Sequence, residues 1–372
     1  MSNKFNLQLF APGFSSDINQ ELLGFNYIES MGGCSRWAMS FSTQDDSKYN
    51  SLLKNDELDF SFRFGTSMNT DGPQQSTLKH VRILHAKKRL FGRAKVIFTL
   101  RGTCSGIAIQ KHRAKDKHWK DKRISEIVTD LLQDFDSLTP QIEKTRGKFS
   151  LMGCNLPTGS FIRRFLLPFA FGSKGTDWRF WVEDGKKVHF EPLKPKGRPY
   201  RFTNLFRDNW LKMKSPQVVK DTRFESELDY GKVEVVMLDP DHHRLIRETV
   251  SDKNSKLNYL ARRGRPTPRE HTARTRRLGL QQRRHTDVSP QTLVQNVSQT
   301  LWGRHSRSLY RLTGELDYEP GISVNHLAMV DLAGPFGAPD INTGMWVVHS
   351  VKHLYSHGSI RTWVLLEKRW EG

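Results

Sequence analysis

Cysteine is nearly absent: Cys34, Cys104 and Cys154 are all that 372 residues contain. Three thiols so far apart in the chain fit neither a disulfide framework nor a zinc site. They read as small buried hydrophobes in a reducing compartment. Long apolar runs are missing too. No stretch approaches the roughly 18 uncharged apolar residues of a membrane span, and the opening MSNKFNLQLFAPGF lacks the charged-then-apolar order of a signal peptide. A soluble protein made in the cytoplasm is expected. Acid is scarce, with 39 Asp and Glu against 59 Lys and Arg, a net charge of +20. Such an excess draws polyanions, whether nucleic acid, anionic membrane or an acidic protein surface, without choosing among them. There is also no G-x-S-x-G elbow, no phosphate-cradling loop and no Cys/His couple. No enzyme, catalytic residue or cofactor is therefore expected.

What the chain does have is strand pattern. Trp37, Met39 and Phe41 alternate with Ala38 and Ser40, and Phe60, Phe62 and Phe64 alternate with Ser61 and Arg63. This period of two gives each strand one buried face. Glycine and polar joints separate the runs, so 1–110 reads as an antiparallel sheet or barrel. At the other end, GMWVVHSVKHLYSHGSIRTWVLLEKR (Gly344 to Arg369) is two strand-forming runs around Ser356–Ser359, a long hairpin. Trp363 is expected to be packed within that sheet.

Between these ends the texture changes. KHRAKDKHWKDKR from Lys111 reads as a charged linker or exposed edge. Ile124, Ile127, Val128, Leu131, Leu132 and Phe135 then form one helical stripe, with Asp121 as the expected N-cap. A second helix is expected after Ser160, kinked or shortened by Pro168. Asp184-Gly185 between aromatic runs marks a hairpin. KVEVVML at 232–238 returns to strand character, and Ser289-Pro290 should cap a helix carrying Leu293, Val294 and Val297. Residues 261–285 hold nine arginines and one acid, Glu270, and no stable core is expected there.

Several apparent sites weaken on inspection. His349, His353 and His357 form an H-x3-H-x3-H series, but on a strand residues four apart lie roughly 13 Å apart, too far to share an ion. His242-His243 reads as a polar turn. Glu126 and Asp130 read as surface charge on one helix face, and Trp178 and Trp181 as core rather than a sugar-stacking platform. No metal site is expected.

The order of parts resembles a family, the central baseplate hub proteins of contractile phage tails, related to the hub portion of type VI secretion spikes. RISEIVTDLLQDF, GSFIRRFLLPFAF and DWRFWVEDGKKVHFEP resemble its inserted domain. SPQTLVQNVSQTL with LTGELDYEPGISV resembles its helix-then-strand passage, and Gly344 to Arg369 its terminal hairpin. The resemblance implies an α+β, mainly β fold: two tail-tube-like antiparallel β-barrel domains with an inserted small α+β domain. The first barrel would be 1–110 and the insert 111–220, with 240–304 left open as a spatial part of it. The second barrel would be 221–239 and 305–372.

Further implications concern partners. The resemblance implies a homotrimer forming a pseudo-sixfold ring between the sixfold tail tube, or its initiator, and a trimeric spike. Baseplate wedge proteins and the tape-measure protein are further partners, and DNA passes through the bore without specific binding. An arginine-rich stretch is unexpected in a ring whose bore must let DNA slide, because phosphate contacts would retard it. Arg262, Arg263, Arg265, Arg269, Arg274, Arg276, Arg277, Arg283 and Arg284 are accordingly expected to grip an acidic partner. A solvated loop and DNA contact remain the alternatives.

Overall fold

The computed structural model describes residues 4–11, 14–18, 21–45, 47–54, 59–67, 74–91, 95–113, 117–153, 155–172, 178–192, 196–220, 232–239, 242–251, 275–277, 289–308, 310–316, 319–334, 340, 342–356 and 358–368. Most of them are strand. The first eight strands are β1 (Lys4–Ala11), β2 (Phe14–Asp17), β3 (Leu22–Ser30), β4 (Arg36–Thr43), β5 (Asp59–Ser67), β6 (Gln74–Gln75), β7 (Lys79–Phe91) and β8 (Lys95–Cys104). They pair in the order β2-β1-β5-β7-β8-β4-β3, with β6 beside β5. The alternation read in the sequence is the reason: Phe60, Phe62 and Phe64 meet Phe25, Tyr27 and Trp37 in one core, and the polar residues between them face outward. Phe5 of β1 lies 5.8 Å from Phe25 of β3 and stacks at 4.8 Å on Tyr355, so aromatic rings cover the side where β1 approaches the far strand of this wall. A short helix, α1 (Ser51–Lys54), also contributes Leu52 to that core.

The next part begins at α2 (Ala108–Lys111) and holds β9 (His118–Arg123), α3 (Ile124–Leu132), β10 (Thr139–Ile142) and β11 (Lys148–Met152). It continues through α4 (Thr158–Phe161), β12 (Trp178–Glu183) and β13 (Lys187–Pro192). The stripe of α3 is buried as its spacing requires. Its N-terminus differs from expectation. Asp121 lies inside β9 at φ +57°, and Arg123 is the N-cap residue, its N–H donating to Glu126 at 2.8 Å. The second helix is brief, passing into a π-turn over Ile162–Leu166 and a 3-10 turn over Leu167–Phe169, where Pro168 removes a donor.

The remaining strands are β14 (Lys196–Thr203), β15 (Leu211–Lys220), β16 (Lys232–Asp239), β17 (Arg244–Ser251), β18 (Thr275–Arg277), β19 (Tyr310–Leu316), β20 (His326–Asp331), β21 (Gly344–Ser356) and β22 (Ser359–Lys368). Helix α5 (Pro290–Ser308) precedes β19, and Ser289 caps it, accepting from the Thr292 N–H at 3.2 Å. Six strands close a barrel in the order β21-β20-β14-β15-β19-β22, since β22 also pairs β21. Every pairing is antiparallel except the two made by β14. The terminal hairpin supplies two of the six strands, with Trp346, Val348, Val351, Val364 and Leu366 inward. It also reaches outside the barrel. Residues Ser350–Ser356 of β21 pair with Gly24–Ser30 of β3, splicing both barrels into one fourteen-stranded sheet.

Two segments lie apart from where the sequence order places them. Residues 196–220, expected in the insert, enter the closed barrel as β14 and β15. Lys232–Asp239, expected in that barrel, pairs as β16 with β17 and β18 instead. Val235 and Ile246 of this small sheet share a core with Leu293, Val294 and Val297 of α5 and with the α3 stripe. An apolar face decides the matter: α5 has to cover its Leu and Val residues, and the β16–β17 sheet offers the matching surface.

Candidate interdomain lock and assembly surfaces

The β12–β13 hairpin touches both barrels. Its turn residues Asp184 and Gly185 both take left-handed backbone, φ +53° and +78°, as an Asp-Gly hairpin turn demands. The His80 N–H donates to the Asp184 carbonyl at 2.9 Å, and the Gly106 N–H to the Gly185 carbonyl at 3.0 Å. A Cβ on Gly185 would collide with the His80 carbonyl. The carbonyls of both turn residues thus plug into the first barrel.

Charge reinforces the plug. Lys79 Nζ of β7 lies 3.0 Å from Glu29 Oε2 of β3 and 2.8 Å from Asp184 Oδ1, all three side chains buried. The Asp184 N–H donates to Glu29 Oε1 at 3.1 Å, Thr77 Oγ1 to Asp184 Oδ1 at 2.6 Å, and Lys187 Nζ to Asp184 Oδ2 at 3.1 Å. Burial alone would raise the Asp184 pKa, but the Lys79 charge and these donors outweigh it and hold it at about 2. Burial likewise opposes the charge on Lys79, while Glu29, Tyr27 and Asp184 keep its pKa well above the usual value. Because Glu29 sits opposite Val351 of β21, the lock lies on the seam between the barrels.

A second contact ties the same hairpin to the closed barrel. Arg179 Nη2 of β12 lies 3.5 Å from Glu367 Oε2 of β22, whose Oε1 is 2.9 Å from His349 Nδ1. Burial pushes Glu367 up, but His349, Arg179 and Arg311 together hold its pKa at about 2. Trp181 enters the closed barrel's core and stacks at 4.4 Å on His189. His189 stands between Glu183 at 2.9 Å and Glu191 at 3.0 Å; burial lowers its pKa, yet the two carboxylates leave it raised.

The other sequence candidates fall as follows. His353 is buried on β21 against Phe64, its Nδ1 3.2 Å from Thr362 Oγ1, and burial followed by the Lys79 charge lowers its pKa to about 3. His357 lies outside the described residues. His242 and His243 are exposed in the β16–β17 turn, His243 at φ +47°. Asp130 accepts from Trp119 Nε1 at 2.7 Å, and Trp178 and Trp181 are buried. Arg276 and Arg277 lie on β18, opposite Val235 and Val236 of β16. Arg262, Arg263, Arg265, Arg269, Arg274, Arg283 and Arg284 are outside the described residues.

Trp363 is a correction: it is 38% exposed, facing outward from the barrel rather than packed in it. Its ladder partners are Lys352 and Glu315. The Lys79 lock is what sequence reasoning missed, and its only local trace was the Asp184-Gly185 turn. A further apolar feature is Phe206, 89% exposed. Its loop is held by reciprocal bonds between Asn204 and Ala333 at 2.8 and 2.9 Å and by Arg207 over Trp210. Among the described residues no helix is long and apolar enough to cross a membrane.

Neither a protein-family model nor a curated protein sequence matches the chain. Solved structures do. The tail protein from Neisseria meningitidis MC58 superposes with a TM-score of 0.66 at 9% identity, over 98% of this chain and 96% of that one. The 43 kDa tail protein of prophage MuSo2 from Shewanella oneidensis gives 0.60 at 7% identity, over 97% of each. The E. coli c3393 protein, a component of the type VI secretion system with structural similarity to the T4 tail proteins gp27 and gp5, gives 0.57 at 11% identity, over 98% and 77%. From end to end, then, the chain has the fold of phage tail proteins and of a component of the type VI secretion system.

Proposed function

We propose that the protein is a structural component of a phage tail, the trimeric central hub of its baseplate, and not an enzyme. The observation that carries this reading is the spliced sheet: a closed six-stranded barrel and a second barrel-like wall joined through β3 and β21. Two such units per chain make six in a trimer, the number that adapts a sixfold tube to a threefold spike. Ring formation also gives exposed strand edges a partner. Tube or tube-initiator protein, trimeric spike and wedge proteins are the proposed partners, with the tape-measure end a further one. In this role the hub takes part in tail assembly and genome delivery, DNA passing through its bore.

Native mass measurement tests this, with the protein alone and mixed with tail-tube and spike proteins. A trimer is expected, showing a pseudo-sixfold outline by electron microscopy; a monomer under every condition overturns it. The charge of +20 favours a second reading, nucleic-acid binding through the arginine-rich segment. That reading requires duplex affinity that falls steeply with salt and disappears when 261–285 is deleted. A tail-associated cell-wall hydrolase is a weaker alternative, which zymography on peptidoglycan would reveal.

A further inference from the structure

We propose that the outer face of the β7–β8–β4 wall is a docking surface for the phosphate backbone of duplex DNA. Strand register builds it. Trp37, Met39 and Phe41 turn into the core, so Arg36, Ala38, Ser40 and Ser42 turn outward. Across the ladder Ala38 stands opposite Arg101, Ser40 opposite Thr99 and Ser42 opposite Ile97. The rows continue onto β7, with His85 opposite Arg101, Lys87 opposite Thr99 and Arg89 opposite Ile97. Lys95 opens β8 on the same face, because its neighbour Val96 belongs to the core. Lys88 falls on the other face of β7, where its Nζ donates to Asn50 Oδ1 at 3.1 Å.

The charge on this face has one sign. Arg36, His85, Lys87, Arg89, Lys95 and Arg101 are all exposed, and among the described residues no ion pair joins any of them to a carboxylate. The only carboxylate on β3, β4, β7 or β8 is Glu29, which is buried and held by Lys79. Like charges fixed side by side on a sheet repel one another, and a polyanion laid across them relieves that repulsion. Along β7 the basic residues recur every second position, roughly 6.8 Å apart, with β8 about 4.8 Å away. A duplex carries one charge per about 1.7 Å of its axis, so several phosphates fall within reach of one chain.

The middle of the face selects among polyanions. Gly24 stands opposite Ser40, Ser40 Oγ lies 3.4 Å from Thr99 Oγ1, and Ala38 is their neighbour, so the centre is small and polar. An acidic protein partner calls for a centre poor in charge with aromatic or apolar anchors. A single strand calls for rings on which its bases stack. Neither is offered at this centre. Hydroxyls ringed by cations suit phosphate oxygens, and interfaces with DNA are the more polar and positive kind. Contacts of this type carry no sequence preference. They use none of residues 261–285, and they require no ring.

The test titrates the full-length chain with a short duplex of random sequence over a series of salt concentrations. A full-length variant combining Lys87→Gln, Arg89→Gln, Lys95→Gln and Arg101→Gln should keep the parent's unfolding midpoint, since all four side chains are exposed. It should lose about 0.9 of the slope of log K against log salt for each phosphate contact removed. Should the fourfold variant not fold, Lys87→Gln with Arg89→Gln and Lys95→Gln with Arg101→Gln read the same loss in halves. Arg89→Lys with Arg101→Lys preserves the charges and should preserve the slope. A further variant, with the arginines of 261–285 changed to glutamine, should retain the share of binding that the sheet variant loses. Duplex affinity unchanged in the sheet variant, or abolished in the 261–285 variant, would overturn the proposal. So would tighter binding, through the same four residues, to poly-glutamate, single-stranded DNA or anionic phospholipid vesicles than to the duplex.

Discussion

Replacing Lys79 by methionine leaves Glu29 and Asp184 facing each other in a buried site without the cation that bridges them. Breaking a buried charge set in this way costs about 3–5 kcal/mol, and urea unfolding of Lys79→Met should show it. The same lock sets a pH dependence. Asp184 and Glu367 have folded pKa values of about 2, below the roughly 4 of an unfolded carboxylate. The stability they contribute is complete above the unfolded value and is lost as pH falls from roughly 5 toward 2. His353 acts on the same side but starts sooner: its folded value of about 3 lies below the roughly 6.5 of a free imidazole, so its contribution fades as pH drops below roughly 6.5. His189 is raised and works in reverse, contributing below the unfolded value and losing that share as pH rises through the folded one. Urea midpoints measured against pH should therefore decline from mildly acidic conditions downward. His353→Gln, which cannot titrate, should flatten the first part of that decline; an unchanged slope there would assign the loss to other groups.

For elements, the β12–β13 hairpin matters more than its six-residue strands suggest. Gly185→Ala forces a Cβ into the His80 carbonyl from a backbone with φ of +78°, a conformation that L side chains resist. The expected result is a hairpin that still forms but docks poorly, seen as faster amide exchange in Trp178–Pro192 than in β19 and β22; equal exchange in all of these strands would separate the turn from the docking. Local signals made this hairpin legible, as they did the α3 stripe, the Ser289 cap and the terminal hairpin, because each rests on neighbours a few residues apart. Strand partners are set by contacts across the whole chain and were not legible. Thus β14 and β15 follow the insert in sequence yet close the barrel, and β16 reads as a barrel strand yet serves as the floor under α5. Asp121 illustrates the smallest version of this failure. A good capping residue two positions early lost to Arg123, whose N–H finds Glu126.

Across the whole molecule, the lock and the seam make the two barrels and the insert one body, and the proposed ring would have to use what that body leaves outside. Trp363 is such a residue. On sequence alone its aromatic strand setting implies packing, since period two tells which residues share a face but not which face is inward. The barrel turns Val364 and Leu366 in and Trp363 out. Substituting Trp363→Asp should therefore leave the fold intact, with a stability change within roughly 0.5 kcal/mol, as for other exposed positions. An aromatic side chain of this size on an outer wall is also the kind that interfaces recruit. If the trimer forms over this face, a buried aspartate should shift the mass distribution from trimer to monomer while circular dichroism and the unfolding midpoint stay put. A variant that melts like the parent chain and still trimerises would remove Trp363 from the contact, and one that fails to fold would return it to the core.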